Sequence, residues 1–263
     1  MAPEGVIAAR HMPPSAPVVV VAGSEGTGRL SVAAVMPPVN PPFAGAARGS
    51  GSYDDPVPAR HVEDHPTAVV PIRSFRDAKS RLAGSLDAAG RAALVRDGAQ
   101  RVLDALIDGP VLVVSDDDEV LDWSQDRGVP TLAPGTPGLD RAATAARDHL
   151  RASGVRRIMV VHADIWVPDR VRSVADLAEI VLVPDLALDG TNVIVIPTEG
   201  PFAFAYGPGS FNRHLGAATH LAEVTRASVC VRRDRSLGHD IDTLDDLRHP
   251  MTGRIADDRR RFP

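Results

Sequence analysis

The stretch that most limits the fold is Arg157-Ile158-Met159-Val160-Val161-His162-Ala163-Asp164. A short apolar run between helix-like segments reads as a central strand of a parallel sheet, buried on both faces. In an open α/β sheet the ligand site lies beyond the carboxyl ends of the strands, and Asp164 falls there. A carboxylate at that point either caps the next turn or helps hold a divalent cation and, through it, a phosphate. Similar runs at 68–72, 111–114, 129–132, 180–183, 193–196 and 227–231 predict further strands. Helical patterns cover 86–107, 118–126, 141–151, 171–179 and about 210–223. Together they predict an α/β fold with a mostly parallel, mixed central sheet and helices on both faces. Val183 and Val193 are too close for a crossover helix, so that part is predicted to be mixed or antiparallel.

Residues 1–66 have a different texture. They hold nearly half of the 23 prolines and a Gly/Ser/Ala tract at 45–52, which predicts a mobile extension without regular elements. Val18 to Val21 followed by Gly23-Ser24-Glu25-Gly26-Thr27-Gly28 imitates a strand and a phosphate loop. No lysine follows the glycines, and Pro37-Pro38 cuts off the helix such a loop needs. The organised domain is expected over 67–249, with a charged tail at 250–263. A single cysteine, Cys230, excludes an intrachain disulfide and reads as a core residue. The net charge of -5 gives no electrostatic sign of a nucleic-acid partner. No apolar stretch approaches the roughly 20 residues of a membrane span, and no signal peptide is visible. A soluble, cytoplasmic protein is expected.

Several loops at strand ends carry chemistry. Arg73, Arg76, Lys79 and Arg81 follow the first strand of the domain, where a doubly wound fold contacts phosphate. After the second strand, Ser115 or Asp116 suits a helix cap, and Asp116 is also close enough to the strand end to approach a nucleotide. Gly135, Gly138 and Asp140 form a tight loop. Its glycines let a flat ligand come close, and Asp140 either caps a helix or accepts from a base edge. Gly207 to Ser210 reads either as an anion nest before a helix or as a plain turn with an N-cap. Asp240 and Asp242 point the same way in an extended stretch, so their oxygens can converge on one cation.

From about Ala68 to Leu247 the chain resembles the 2-phospho-L-lactate / phosphoenolpyruvate guanylyltransferase family of deazaflavin coenzyme biosynthesis. The resemblance rests on Val70-Pro71-Ile72, Ala78-Lys79-Ser80-Arg81-Leu82, Gly138-Leu139-Asp140, His162-Ala163-Asp164, Val183-Pro184-Asp185 and Asp189-Gly190-Thr191-Asn192. It continues through Phe204 to Phe211 with His214, and through Asp240-Ile241-Asp242-Thr243. It implies a nucleotide-diphospho-sugar transferase (glycosyltransferase-A) type of fold and a GTP-dependent nucleotidyltransferase using Mg²⁺ and a phosphorylated three-carbon acid. Asp164, Asp240 and Asp242 then look like the metal carboxylates. Lys79 and Arg81 would face the triphosphate, with Asp164 also serving catalysis. Gly138 and Asp140 would border the nucleotide, with Asp140 at the guanine, and Asp116 joins them from its place at the strand end. Thr191, Gly207 and Ser210 would contact the acid. Phosphoenolpyruvate is the expected acid and enolpyruvyl-diphospho-5'-guanosine the product. 2-Phospho-L-lactate and a non-catalytic nucleotide-binding relic are the alternatives. A homodimer and hand-over of product to a following enzyme are compatible with this reading. The chain departs from the family pattern at Ser74-Phe75, at Ile165-Trp166 and in its N-terminal extension.

Overall fold

Alternation of side chains along the strands determines the layering. In the computed structural model, Met159, Val161, Val193 and Val195 face one hydrophobic layer, while Ile158, Val160, Ile194 and Ile196 face the other. Both layers are buried, as expected for strands sandwiched between helices. The structure describes residues 19–24, 30–34, 65–76 and 79–248.

Two strands, β1 (Val19–Ser24) and β2 (Leu30–Ala34), precede the domain. They correct the expectation of a segment without regular elements: the β-branched Val19 to Val21 pair in parallel with the last strand, and β2 folds back on β1. The glycines between them, apart from Gly23, lie outside the described residues. Next come β3 (Thr67–Pro71), α1 (Ala88–Ala105), β4 (Val111–Val114), α2 (Asp118–Gln125), β5 (Thr131–Leu132), α3 (Leu139–Ala152) and β6 (Arg157–Val161). After them follow β7 (Ile180–Pro184), β8 (Thr191–Pro197), α4 (Ser210–Thr225), β9 (Val229–Arg233) and α5 (Leu244–Arg248). The sheet order is β2-β1-β9-β7-β8-β6-β3-β4-β5.

β8 runs antiparallel to both β6 and β7, whereas β3, β4, β5 and β6 pair in parallel and so do β7 and β9. The reversal has a functional consequence. It brings the first residue of β8, Thr191, to the edge where β3, β4, β6 and β7 end. The crossover helix predicted at 171–179 is corrected to a short 3-10 turn, Arg172–Asp176. Val174 and Ala175 are its buried residues, so two apolar side chains anchor it instead of a helical stripe.

α1 and α2 contribute Ala99, Val102, Leu103, Val120 and Trp123 to one layer, and α3 and α4 contribute Ala143, Ala146, Ala218 and Leu221 to the other. Cys230 is buried in β9, as expected. α1 is capped by Asp87, which accepts from Gly90 N–H at 2.7 Å. Near the middle of α1, Gly98 allows close approach: a Cβ there would lie 3.0 Å from the Ala163 carbonyl oxygen. Thus the helix packs directly on the segment that carries Asp164. Among the described residues, no helix is long and apolar enough to cross a membrane.

Candidate active site

The carboxyl ends of β3, β4, β6 and β7 and the start of β8 open on one cavity of about 890 Å³, within the range of small-molecule sites. Arg73, Lys79, Arg81, Asp116 and Gly138 line it, and so do Asp164, Asp240 and Asp242. Thr191, Gly207 and Ser210 share the same wall. Of the four cations after β3, Arg76 alone turns elsewhere, pairing with Glu119 at 2.8 Å.

Lys79 is the centre of the charged set. Its Nζ lies 2.5 Å from Asp164 Oδ2 and 2.6 Å from Asp242 Oδ1. Its backbone is left-handed, at φ 58, which costs a non-glycine residue about 1–2 kcal/mol. Two short charge-assisted bonds offset that strain. Burial acts against the ammonium, yet Asp164 and Asp242 outweigh it and hold the Lys79 pKa above its ordinary value. Burial likewise opposes the charged form of Asp164, but Lys79 and His162 overcome it and keep that carboxyl below the usual range. Arg81 reaches Asp242 only at 3.6 Å with a largely exposed side chain, so the pair is weak.

The third carboxylate is left with excess charge. Oxygens of Asp164, Asp240 and Asp242 all lie within 4.8 Å of one another. Asp240 is pushed up to about 7 by burial and then by the negative charges of Asp164 and Asp242. Three hard oxygen donors with one ammonium among them fit a divalent cation such as Mg²⁺ chemically, and these three residues could hold it.

A satellite core keeps this set in register. Leu82, Trp166 and Ile241 pack together as buried residues. Each is a near chain neighbour of a charged residue: Leu82 of Arg81, Trp166 of Asp164, and Ile241 of Asp240 and Asp242. Ile165 forms an antiparallel bridge with Asp240, and Trp166 N–H donates to the His239 carbonyl at 3.0 Å. Trp166, where the chain departs from the pattern of the family it resembles, does not line the cavity. It lies in this core with the Arg101 guanidinium 4.3 Å over its ring. The other departure, Phe75, is fully buried and packs edge-on against Trp123 at 5.2 Å.

The second set surrounds the turn before α4. Arg213 donates to the carbonyls of Ala205, Tyr206, Gly207 and Pro208, drawing these oxygens to its guanidinium. Loop amides are consumed one by one. Ala205 N–H donates to His214 Nε2 at 2.9 Å, Tyr206 N–H to Asp140 Oδ1 at 2.6 Å, and Gly209 N–H to Asp189 Oδ1 at 3.0 Å. Ser210 N–H returns to the Gly207 carbonyl at 3.0 Å, while Gly207 has φ 100, which a side chain would strain. His162 Nε2 and the Tyr206 hydroxyl are buried with no hydrogen-bond partner among the described residues, and both residues line the cavity.

Two sequence readings are corrected. Asp117, not Ser115 or Asp116, caps α2 by accepting from Val120 N–H at 3.3 Å, which leaves Asp116 exposed on the cavity wall. Asp140 neither caps α3 nor lines the cavity. The helix begins at Leu139, two residues earlier than predicted, with Gly138 as N-cap, and the Asp140 carboxylate is engaged by Tyr206 N–H. It holds the 205–207 loop. Sequence reading gave no role to His214, Arg213 or Asp189. The first had a signal: His214 follows Ser210 by one helical turn and therefore shares its face.

The sequence profile of the family described as guanylyl transferase CofC like matches residues 66–252. A phosphoenolpyruvate guanylyltransferase of Rubrobacter xylanophilus is 36% identical over 190 residues, covering 68% of this chain and 90% of that protein. One from Sphaerobacter thermophilus is 35% identical over 206 residues, covering 73% and 97%. A 2-phospho-L-lactate guanylyltransferase of Methanothermobacter thermautotrophicus is 28% identical over 189 residues, covering 68% and 81%. Among solved structures, the inositol-1-phosphate CTP transferase of T. maritima aligns with a TM-score of 0.46 at 12% identity, covering 73% of this chain and 96% of that one.

Proposed function

The chain belongs to the CofC-like guanylyl transferase family, and from that membership we propose that it joins GMP from GTP to phosphoenolpyruvate. A phosphate oxygen of the acid attacks the α-phosphorus of GTP and forms a new P–O–P link. The bond from the α-phosphorus to its bridging oxygen breaks, and diphosphate leaves with the electron pair. The product is enolpyruvyl-diphospho-5'-guanosine, an intermediate for a deazaflavin coenzyme. We read the fold as the nucleotide-diphospho-sugar transferase (glycosyltransferase-A) type.

One observation carries this reading. A single cavity joins a carboxylate triad with its lysine to a second set of donors at Thr191, Gly207 and Ser210. Transfer between a triphosphate and a second phosphate requires such a pair, because the chemistry rests on positioning and charge neutralisation. In this proposal Asp164, Asp240 and Asp242 hold Mg²⁺, which supplies neutralisation of the triphosphate charge when bound. Lys79 and Arg81 donate to phosphate oxygens, Asp116 and Gly138 border the nucleoside, and Thr191, Gly207 and Ser210 seat the acid. The names of the bacterial relatives support phosphoenolpyruvate, and that of the archaeal relative keeps 2-phospho-L-lactate as the second reading.

A diphosphate-release screen pairing GTP, ATP, CTP or UTP with each acid tests the proposal. Release is expected with GTP and phosphoenolpyruvate. Preference for another nucleotide overturns the guanylyl assignment, preference for 2-phospho-L-lactate overturns the choice of acid, and GTP binding without release points to a non-catalytic relic.

A further inference from the structure

A neutral imidazole has one N–H donor and one nitrogen acceptor, and the neighbours decide which is which. His214 on α4 is fully buried, stacked at 6.0 Å on Phe202 and edge-on at 4.7 Å to Tyr206. Its Nε2 faces the Ala205 backbone N–H at 2.9 Å. A backbone amide can only donate, so Nε2 is the acceptor and carries no proton. The ring proton must then sit on Nδ1, which lies 3.0 Å from Thr191 Oγ1. Nδ1–H therefore donates, and the Thr191 oxygen accepts.

That assignment propagates one bond further. The Thr191 hydroxyl has a single proton, and its oxygen makes no other hydrogen bond among the described residues. With His214 donating to it, its own O–H is left to donate, and the residue lines the cavity. We infer that His214 is a positioning residue that, through its Nδ1–H tautomer, fixes the Thr191 hydroxyl as a donor toward an acceptor-only ligand group in the cavity. Resting on the reading above, that group is the phosphate of the acid substrate, whose oxygens accept and do not donate. The opposite tautomer would place an unprotonated Nδ1 against Thr191 and draw its hydroxyl proton away from the ligand. Burial, with His162 and then Arg213 adding to it against the opposing pull of Asp140, keeps the imidazole neutral, consistent with a single tautomer.

Two measurements test this, one independent of turnover. Long-range proton–nitrogen NMR of the histidine rings in the ligand-free protein, with His214 identified by its loss in H214Q, is expected to show pyrrole-type Nδ1 and pyridine-type Nε2 at pH 7. The reverse pattern, or an imidazolium, overturns the inference even if the enzyme transfers GMP as proposed. In kinetics, H214Q keeps an acceptor for Ala205 but loses the donor to Thr191. It is expected to raise the KM for the acid about tenfold, the scale of one oriented hydrogen bond, with the KM for GTP little changed. H214N, whose amide N–H reaches toward the Nδ1 position, is expected to recover part of that loss. H214Q combined with T191V should be no worse than T191V alone. Equal rises in both KM values, or additive losses in the double variant, would reduce His214 to a structural residue. If neither acid is turned over, the proposed function falls, while the NMR measurement still decides the tautomer.

Discussion

At Lys79 one ammonium serves two carboxylates, and a third aspartate stands close by with no ion pair of its own among the described residues. Asp164→Asn or Asp242→Asn would each remove one ligand charge and one partner of Lys79 while keeping the side-chain shape. Each is expected to lower kcat/KM by about a hundredfold or more, the scale of a lost electrostatic contact at a reacting phosphate. Unchanged rates would remove these residues from the site. The buried imidazole nearby makes a prediction of opposite character. His214 titrates near 4 in the folded protein because of burial, against an ordinary value of 6.5. The unfolded chain therefore binds the extra proton first as pH falls. Its contribution to stability is complete above pH 6.5 and is lost between 6.5 and 4. Denaturant unfolding at pH 7 and pH 5 should show a larger loss for wild type than for H214Q, since Asp140, His162 and Arg213 remain in both. Equal losses would contradict the shift.

Among the elements, the strands were the most legible. Apolar runs such as 111–114 and 180–183 can only be buried by a two-sided sheet, and period-two alternation placed Asp240 and Asp242 together with Ile241 turned inward. Caps and short helices were less legible, because several acids in a row after β4 are equivalent until the backbone selects Asp117. The brace under the charged set was invisible for another reason. Leu82, Trp166 and Ile241 are far apart in the chain, and no local pattern announces that they meet. Trp166→Ala is expected to lose about 3 kcal/mol by leaving a cavity in that brace, and to weaken Mn²⁺ binding measured directly. Trp166→Phe should cost much less, since the indole N–H has no hydrogen-bond partner among the described residues. An alanine variant as stable and as tight for metal as wild type would show that the brace does not set the triad.

Across the whole molecule, the reversed strand β8 brings two separate chemistries to one cavity. Strands β3 and β6 deliver the lysine loop and Asp164, and the segment after β9 returns Asp240 and Asp242. β8 and α4 deliver Thr191, Gly207 and Ser210. Most of these positions were legible as strand-end residues. The hold of Asp140 on the 205–207 loop was not legible, because its partner, the Tyr206 amide, is brought to it only by the fold. The proposed function requires the two sets to meet so that two phosphates are joined. Mass spectrometry of the protein incubated with Mg²⁺, GTP and phosphoenolpyruvate tests it most directly. A species equal to GMP plus phosphoenolpyruvate less one water, formed in step with diphosphate, is expected. GTP left intact beside either acid, with the protein folded and the nucleotide bound, would contradict it.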